Sequence, residues 1–258
     1  MTKFTHVIVR RPCRALTEGI SSGLYPGKPD YELALRQHDA YIEALKKCGV
    51  EVEILPADER YPDSCFVEDP AVLTGKCAII TNPGAPSRNG EKDEILSAVR
   101  KYYTEDRIER IRFPGTLEGG DVMMAGDHFY VGRSERTNEE GIRQFREILR
   151  KYGMDCTEVE LQEVLHLKTG VNYLENNTLL VSGAFIENAV FSAFRKVVIP
   201  AEEAYGANCI WVNGTVIIPE GYPAVLSSIQ ALGYPTLTVD TSEFRKLDGG
   251  LSCLSLRF

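Results

Sequence analysis

The sequence predicts an α/β fold: a strand–strand–helix–strand unit recurs five times and closes into a ring around a central site. Three observations predict it. Four stretches share one plan, a strand, a tight turn and a second strand, with a further strand behind. Their starts and that of the tail, near Asp69, Asp121, Gly170, Cys209 and Cys253, lie 39 to 52 residues apart, a period typical of modular rings and arrays. Finally, THVIVRR at 5–11 and SCLSLRF at 252–258 each read as a strand without a local partner. Pairing them closes the ring and ties down segments that would otherwise fray. The expectation is one domain over 1–258; two α/β domains with irregular hairpins are the alternative.

In chain order, THVIVRR supplies the orphan strand, and residues 31–48 form a helix with His38, Tyr41, Ile42 and Leu45 on one face and Gly49 as its stop. VEVEILP (50–56) returns as a strand, completing the module that the tail begins. FVEDPAVLTGKCAIITNPGAPSR (66–88) reads as strand, glycine turn, strand and small-residue loop, followed by a helix in DEILSAVRKYY (93–103) and a strand in IERIRFP (108–114). EGGDVMMAGDHFYVGRSERTN (118–138) turns at Gly126-Asp127. Behind it Ile142, Phe145, Ile148, Leu149 and Tyr152 share a helical face stopped by Gly153, and CTEVELQ (156–162) is the next strand. TGVNYLENNTLLVSGAFI (169–186) turns at Asn176-Asn177 and precedes the strand KVVIP. ANCIWVNGTVIIPEGYP (207–223) turns at Asn213-Gly214, the strongest short hairpin signal. A helix marked by Val225, Ile229, Leu232 and Gly233 and the strand TLTVD follow it.

The composition, 43% hydrophobic and 26% charged, is that of a globular chain with a sizeable core. A net charge of −8 without any Lys/Arg run argues against nucleic acid as a partner. No apolar run suits a membrane span, and the opening residues lack a signal-peptide core. Seven cysteines, scattered and without C-x-x-C spacing, form neither a disulfide framework nor a zinc site, so a reducing cytoplasm is expected. Cys13, Cys48, Cys65, Cys77, Cys156 and Cys209 read as packing residues.

In a ring, equivalent positions face one axis. The segments before each first strand, PDSCFVEDP, TLEGGD, LHLKTG, GANC and DGGLSC, hold Asp63, Glu68, Asp69, Glu118, Asp121, His166, Asp248 and Cys253. Glycines beside them let backbones approach closely. A thiolate nucleophile, an acid/base histidine and several carboxylates would thus converge. Carboxylates raise a thiol pKa, so such a site works only on a substrate that brings positive charge. A planar guanidinium fits, because carboxylates bind it through paired charge-assisted hydrogen bonds. A zinc site built from these residues lacks ligand spacing, and EGGD is not a dinucleotide fingerprint.

The segments PDSCFVEDP, ITNPGAPSR, EGGDVMM, VGRSERTN, HLKTG, ANCIWVN and DGGLSC together resemble the successive motifs of the dimethylarginine dimethylaminohydrolases, particularly the bacterial ones, from about Thr5 to Phe258. That family belongs to the guanidino-modifying enzymes, and the resemblance implies a five-module α/β propeller. It implies hydrolysis of Nω-methylated arginine to citrulline and methylamine or dimethylamine through a covalent cysteine intermediate, without metal or organic cofactor. Cys253 is then the nucleophile, His166 the general acid/base and Glu118 the residue that orients it. Asp69 with Glu68 would hold the guanidinium, and Asp63, Arg88 and Arg136 the amino-acid end. Leu247 and Asp248, before the glycine pair, complete the substrate-binding set. Residues 11–23 resemble the family's lid, with Ile20 where leucine is commoner. Thr137 and Glu140 read as a capping box whose helix N-terminus could help to hold a carboxylate. The expected partner is a small methylated arginine, with homodimerisation left open. Arginine deiminase, an amidinotransferase and a non-catalytic binder of arginine-like ligands are the rival readings.

Overall fold

Val7, Ile8 and Val9 are fully buried because their strand, β1 (His6–Arg10), lies between two others rather than at an edge. The computed structural model describes residues 3–161 and 164–258. A short 3-10 helix, Arg14–Glu18, precedes helix α1 (Tyr31–Lys47). The Asp30 carboxylate caps α1 by accepting from the Leu33 N–H, and Gly49, at φ 78°, releases the chain from the helix end. The chain returns as β2 (Glu51–Leu55), parallel to β1.

Four further modules repeat one topology. The first has β3 (Ala71–Leu73), β4 (Ala78–Ile80), α2 (Glu91–Val99) and β5 (Ile108–Arg110). The next has β6 (Val122–Ala125), β7 (His128–Arg133), α3 (Glu139–Lys151) and β8 (Asp155–Glu160). Strands β9 (Val171–Tyr173), β10 (Thr178–Val181) and β11 (Arg195–Val198) form the third. In the fourth, Asn213 (φ 49°) and Gly214 (φ 95°) make the left-handed turn between β12 (Ile210–Val212) and β13 (Thr215–Pro219). Helix α4 (Pro223–Ala231) and β14 (Thr236–Val239) follow.

In each of these four sheets the middle strand is antiparallel to the first and parallel to the third. The last segment contributes α5 (Ser242–Arg245), a 3-10 helix over Ser252–Leu254, and β15 (Leu256–Arg257). β15 runs antiparallel to β1, with Val7 opposite Arg257 and Ile8 opposite Leu256. The result is five three-stranded sheets in a propeller-like α/β arrangement, the fifth built from both ends of the chain.

The first strands of all five modules share one axis. Leu73, Met123, Tyr173, Trp211 and Leu256 line a chamber of about 120 Å³ together with Glu68, Lys168 and Arg257. Among the described residues no helix is long and apolar enough to cross a membrane.

The third module, where the sequence marks no helix, connects β10 to β11 through two 3-10 turns, Gly183–Phe185 and Ala189–Phe191, which bury Phe185 and Phe191. The differences from expectation are local. Gln162, expected at the end of a strand, lies outside the described residues, and β8 spans Asp155–Glu160. Helix α2 starts two residues early because Glu91 pairs with Arg88. The cap of α3 is Asn138, whose side chain accepts from the Gly141 N–H at 2.8 Å. Thr137 is not that cap: its hydroxyl accepts from the Glu118 N–H at 3.1 Å, which serves the site.

Candidate active site

Gly249 and Gly250 are required by packing. A Cβ on the first would overlap the Phe66 ring, and one on the second the Asn208 side chain. Asp248 before them adopts φ 58°, in the left-handed region. The resulting tight loop sets Cys253 on its 3-10 turn, with its N–H bonded to Gly250 O at 3.1 Å and the Gly250 N–H 3.5 Å from Sγ. Cys253 is partly exposed, whereas the other six cysteines, all free, are buried.

One cavity is lined by Cys253, His166, Glu118, Asp69, Asp63, Arg88, Arg136, Ile20, Leu247 and Asp248. Of the residues expected to converge, Glu68 and Asp121 do not line this cavity. His166 Nε2 lies 2.8 Å from Glu118 Oε2. The other oxygen of Glu118 accepts from the Ala85 N–H at 3.1 Å and is 3.6 Å from Arg136. Asp121 sits behind the histidine, bonded to Ser134 Oγ and to the Leu167 N–H. Gly120 explains the glycine pair in EGGD: a Cβ there would stand 2.8 Å from His166 Nδ1 and 2.9 Å from Asp69.

The segment expected to be the lid reaches this cavity through Ile20. Asp63 accepts from the Ile20 N–H at 3.0 Å, and Asp248 accepts from both the N–H (2.6 Å) and hydroxyl (2.8 Å) of Ser22. Asp248 thus holds the lid, a role the sequence did not suggest.

Arg88 is buried and committed. Its guanidinium pairs with Asp69 at 2.5 Å and with Glu91 at 2.9 and 2.7 Å. Arg136 is more open, and its one ion pair among the described residues is the longer contact to Glu118. Glu68 points instead into the axial chamber, where Oε1 meets Lys168 at 2.5 Å and Arg257 at 3.2 Å, while Oε2 is buried with no partner among the described residues. Lys168, carried by the HLKTG segment, is a charged neighbour of Cys253 that sequence reasoning missed.

Burial pushes the Cys253 thiol up to about 12; Glu68 and Asp69 add to the rise, and the Gly250 N–H and Lys168 oppose it. Burial disfavours a charged His166, but Asp121, Asp69 and Glu118 outweigh it and raise the imidazole to about 9. Burial also opposes a charged Asp69, yet Arg88, His166 and the Gly120 N–H keep its carboxyl below the ordinary range. At neutral pH the free site thus pairs a neutral thiol with an imidazolium.

Asp69, Glu118 and His166 offer ligand atoms within 4.8 Å of one another. All three are engaged, Asp69 by Arg88 and the Gly120 N–H, and Glu118 and His166 by each other. This set suits a protonated organic group better than a metal ion.

The family model described as N,N dimethylarginine dimethylhydrolase, eukaryotic, matches residues 27–205. The N(G),N(G)-dimethylarginine dimethylaminohydrolase of Pseudomonas aeruginosa is 55% identical over 99% of this chain and 100% of its own. A structure of the Pseudomonas aeruginosa enzyme, a cysteine-to-serine mutant complexed with citrulline, superposes with a TM-score of 0.98 at 54% identity over the whole of both chains. A histidine-to-glycine dimethylarginine dimethylaminohydrolase adduct with S-methyl-L-thiocitrulline gives a TM-score of 0.97 at 55% identity, over 99% of this chain and 100% of that one.

Proposed function

The chain belongs to the dimethylarginine dimethylaminohydrolase family, and from that premise we propose that it hydrolyses asymmetric dimethylarginine and monomethylarginine to L-citrulline and dimethylamine or methylamine. One observation carries the reading: the cavity holds a thiol that burial, Glu68 and Asp69 keep protonated, together with a His–Glu pair. Only a cationic electrophile turns that arrangement from a handicap into a catalyst.

In this reading the guanidinium of the substrate settles against Asp69 and neutralises the local field, and Cys253 loses its proton to solvent. Sγ then bonds to the guanidinium carbon. His166, already protonated, donates a proton to the methylated nitrogen from the ring nitrogen that Glu118 does not hold. The C–N bond breaks and the amine leaves as a neutral molecule. A thiouronium cation remains on Cys253, beside a neutral imidazole. That imidazole takes a proton from water and hydroxide adds to the carbon; the C–S bond then breaks with its electrons on sulfur, and the proton of the new hydroxyl passes to the leaving thiolate, releasing neutral citrulline and the thiol. In this reading Arg136 holds the α-carboxylate and Asp63 the α-amine, with the lid closing at Ile20 and Ser22. No step requires a metal or organic cofactor. Seven free thiols suit a reducing cytoplasm.

Incubation with arginine, monomethylarginine and both dimethylarginines, followed by mass analysis of products, tests the proposal. The expected result is citrulline with methylamine or dimethylamine, and none from Cys253→Ser. Ammonia from unmodified arginine would favour a deiminase instead. Binding of methylarginine without any product would favour a non-catalytic binder.

A further inference from the structure

Tyr25 stands out in the stretch that follows the lid, two residues beyond its last glycine, Gly23. Of residues 21–28 it is the one that is not exposed. Its ring covers the guanidinium of Arg245, with the carbon 5.0 Å from the ring centre. The same guanidinium lies 5.6 Å from the centre of Tyr205 and donates from Nη1 to the Tyr222 hydroxyl at 2.6 Å. Tyr25 and Tyr205 meet edge-on at 6.0 Å, and Tyr205 and Tyr222 lie 5.5 Å apart. Arg245 forms no ion pair among the described residues, and its Nε is buried without a partner. Rings hold this cation where a carboxylate ordinarily would.

The box is wired to the nucleophile. Arg245 ends α5, three residues before Asp248, which anchors Ser22 of the lid. The Tyr205 hydroxyl donates to Gly249 O at 2.8 Å and meets Thr241 Oγ1 at 3.0 Å. Burial holds that phenol far above its ordinary range, so it stays a donor. Gly249 is followed by Gly250, whose N–H and carbonyl fix the Cys253 turn. Tyr25 therefore sees the lid, Tyr205 sees the nucleophile loop, and Arg245 touches both.

We propose that Arg245 and Tyr205 are positioning residues: the boxed guanidinium latches the lid through Tyr25 while the Tyr205 hydroxyl fixes the loop that carries Cys253, so lid closure and nucleophile placement are coupled. This rests on the reading of Cys253 as the nucleophile beneath the lid. The two ends of the relay have different kinetic signatures. Losing the Tyr25 ring releases the lid side of the latch and weakens substrate retention. Losing the Tyr205 hydroxyl leaves its ring against Arg245 but frees Gly249 O, which misplaces Sγ.

The test combines steady-state kinetics on dimethylarginine with hydrogen–deuterium exchange of the peptide containing Ile20 and Ser22. Tyr25→Ala is expected to raise KM about five- to thirtyfold with kcat nearly unchanged, and to speed exchange at the lid. Tyr25→Phe should restore both. Tyr205→Phe is expected to lower kcat about two- to tenfold at near-constant KM. Arg245→Met should do both, and adding Tyr25→Ala to it should change KM little further. Equal KM and equal lid exchange in Tyr25→Ala and wild type would overturn the latch. A kcat unchanged in Tyr205→Phe would overturn the loop contact. If wild type itself failed to turn over dimethylarginine, the functional reading would fall, and the exchange measurements on Tyr25→Ala and Arg245→Met would still decide the latch.

Discussion

His166 Nε2 and Glu118 Oε2 lie 2.8 Å apart, and the far oxygen of that carboxylate is fixed by a backbone N–H. Glu118 is almost wholly buried, so its charge is screened little by solvent and falls chiefly on the imidazole. This contact fixes which ring nitrogen faces the cavity, and with Asp121 and Asp69 it makes the ring hold its proton more strongly.

Glu118→Gln should lower the His166 midpoint from about 9 toward the ordinary value, because one of three anions that favour the imidazolium is lost. NMR titration of the ring measures it. The sign for stability follows. A proton bound more tightly in the folded state stabilises it fully below about pH 6.5 and ceases to do so as pH rises through about 9. Glu118→Gln should lose less stability across that window than wild type. Its kcat should fall by about 10²-fold or more, the scale of acid–base catalysis.

Cys253 should show no thiolate absorbance near neutral pH in the free protein, since its pKa stands near 12. An unreactive amidinium ligand should bring the absorbance on by reversing the local field. The measurement is ultraviolet absorbance against pH, with Cys253→Ser subtracted. A thiolate already present in the free protein would point to an imidazolium–thiolate pair instead.

Arg136→Ala should raise KM for dimethylarginine about ten- to a hundredfold, the cost of about 1.5–3 kcal/mol for a lost charge-assisted contact. A simple alkyl amidine, which lacks the α-carboxylate, should be affected far less. Equal losses for the two substrates would mean that Arg136 acts only through Glu118.

Arg88→Met should destabilise the fold by about 3–5 kcal/mol, read from the denaturant midpoint, because it strands two buried carboxylates, Asp69 and Glu91. A loss near zero would show that both take up protons at little cost.

Much of the fold was legible because its signals are local. Asn213-Gly214 marked a hairpin by backbone conformation alone, and the apolar face of α3, Ile142, Phe145, Ile148 and Leu149, is a property of 3.6-residue spacing. The pairing of β1 with β15 was legible by elimination, as each strand lacked a neighbour. The site was legible as a set of residues, not as a set of directions. Glu68 and Asp69 are adjacent in sequence, yet one side chain enters the axial chamber and the other the catalytic cavity. Their partners, Arg257 and Arg88, are remote in sequence, so nothing nearby could say which carboxylate faced which cation. The capping pattern at Thr137 misled for the same reason, since Glu118 recruits that hydroxyl from 19 residues away.

The union of β1 with β15 sets a clock on activity. During synthesis, four modules can emerge and fold while the strand that opens the chain still waits for a neighbour. Cys253 leaves the ribosome after His166, Glu118 and Asp69 have long been in place, and β15 follows within three residues. Contacts so distant along the chain form late. A nascent polypeptide that stops short of Cys253 therefore carries the histidine and the carboxylates of the cavity without its thiol, and the full constellation arrives together with the strand that pairs with β1.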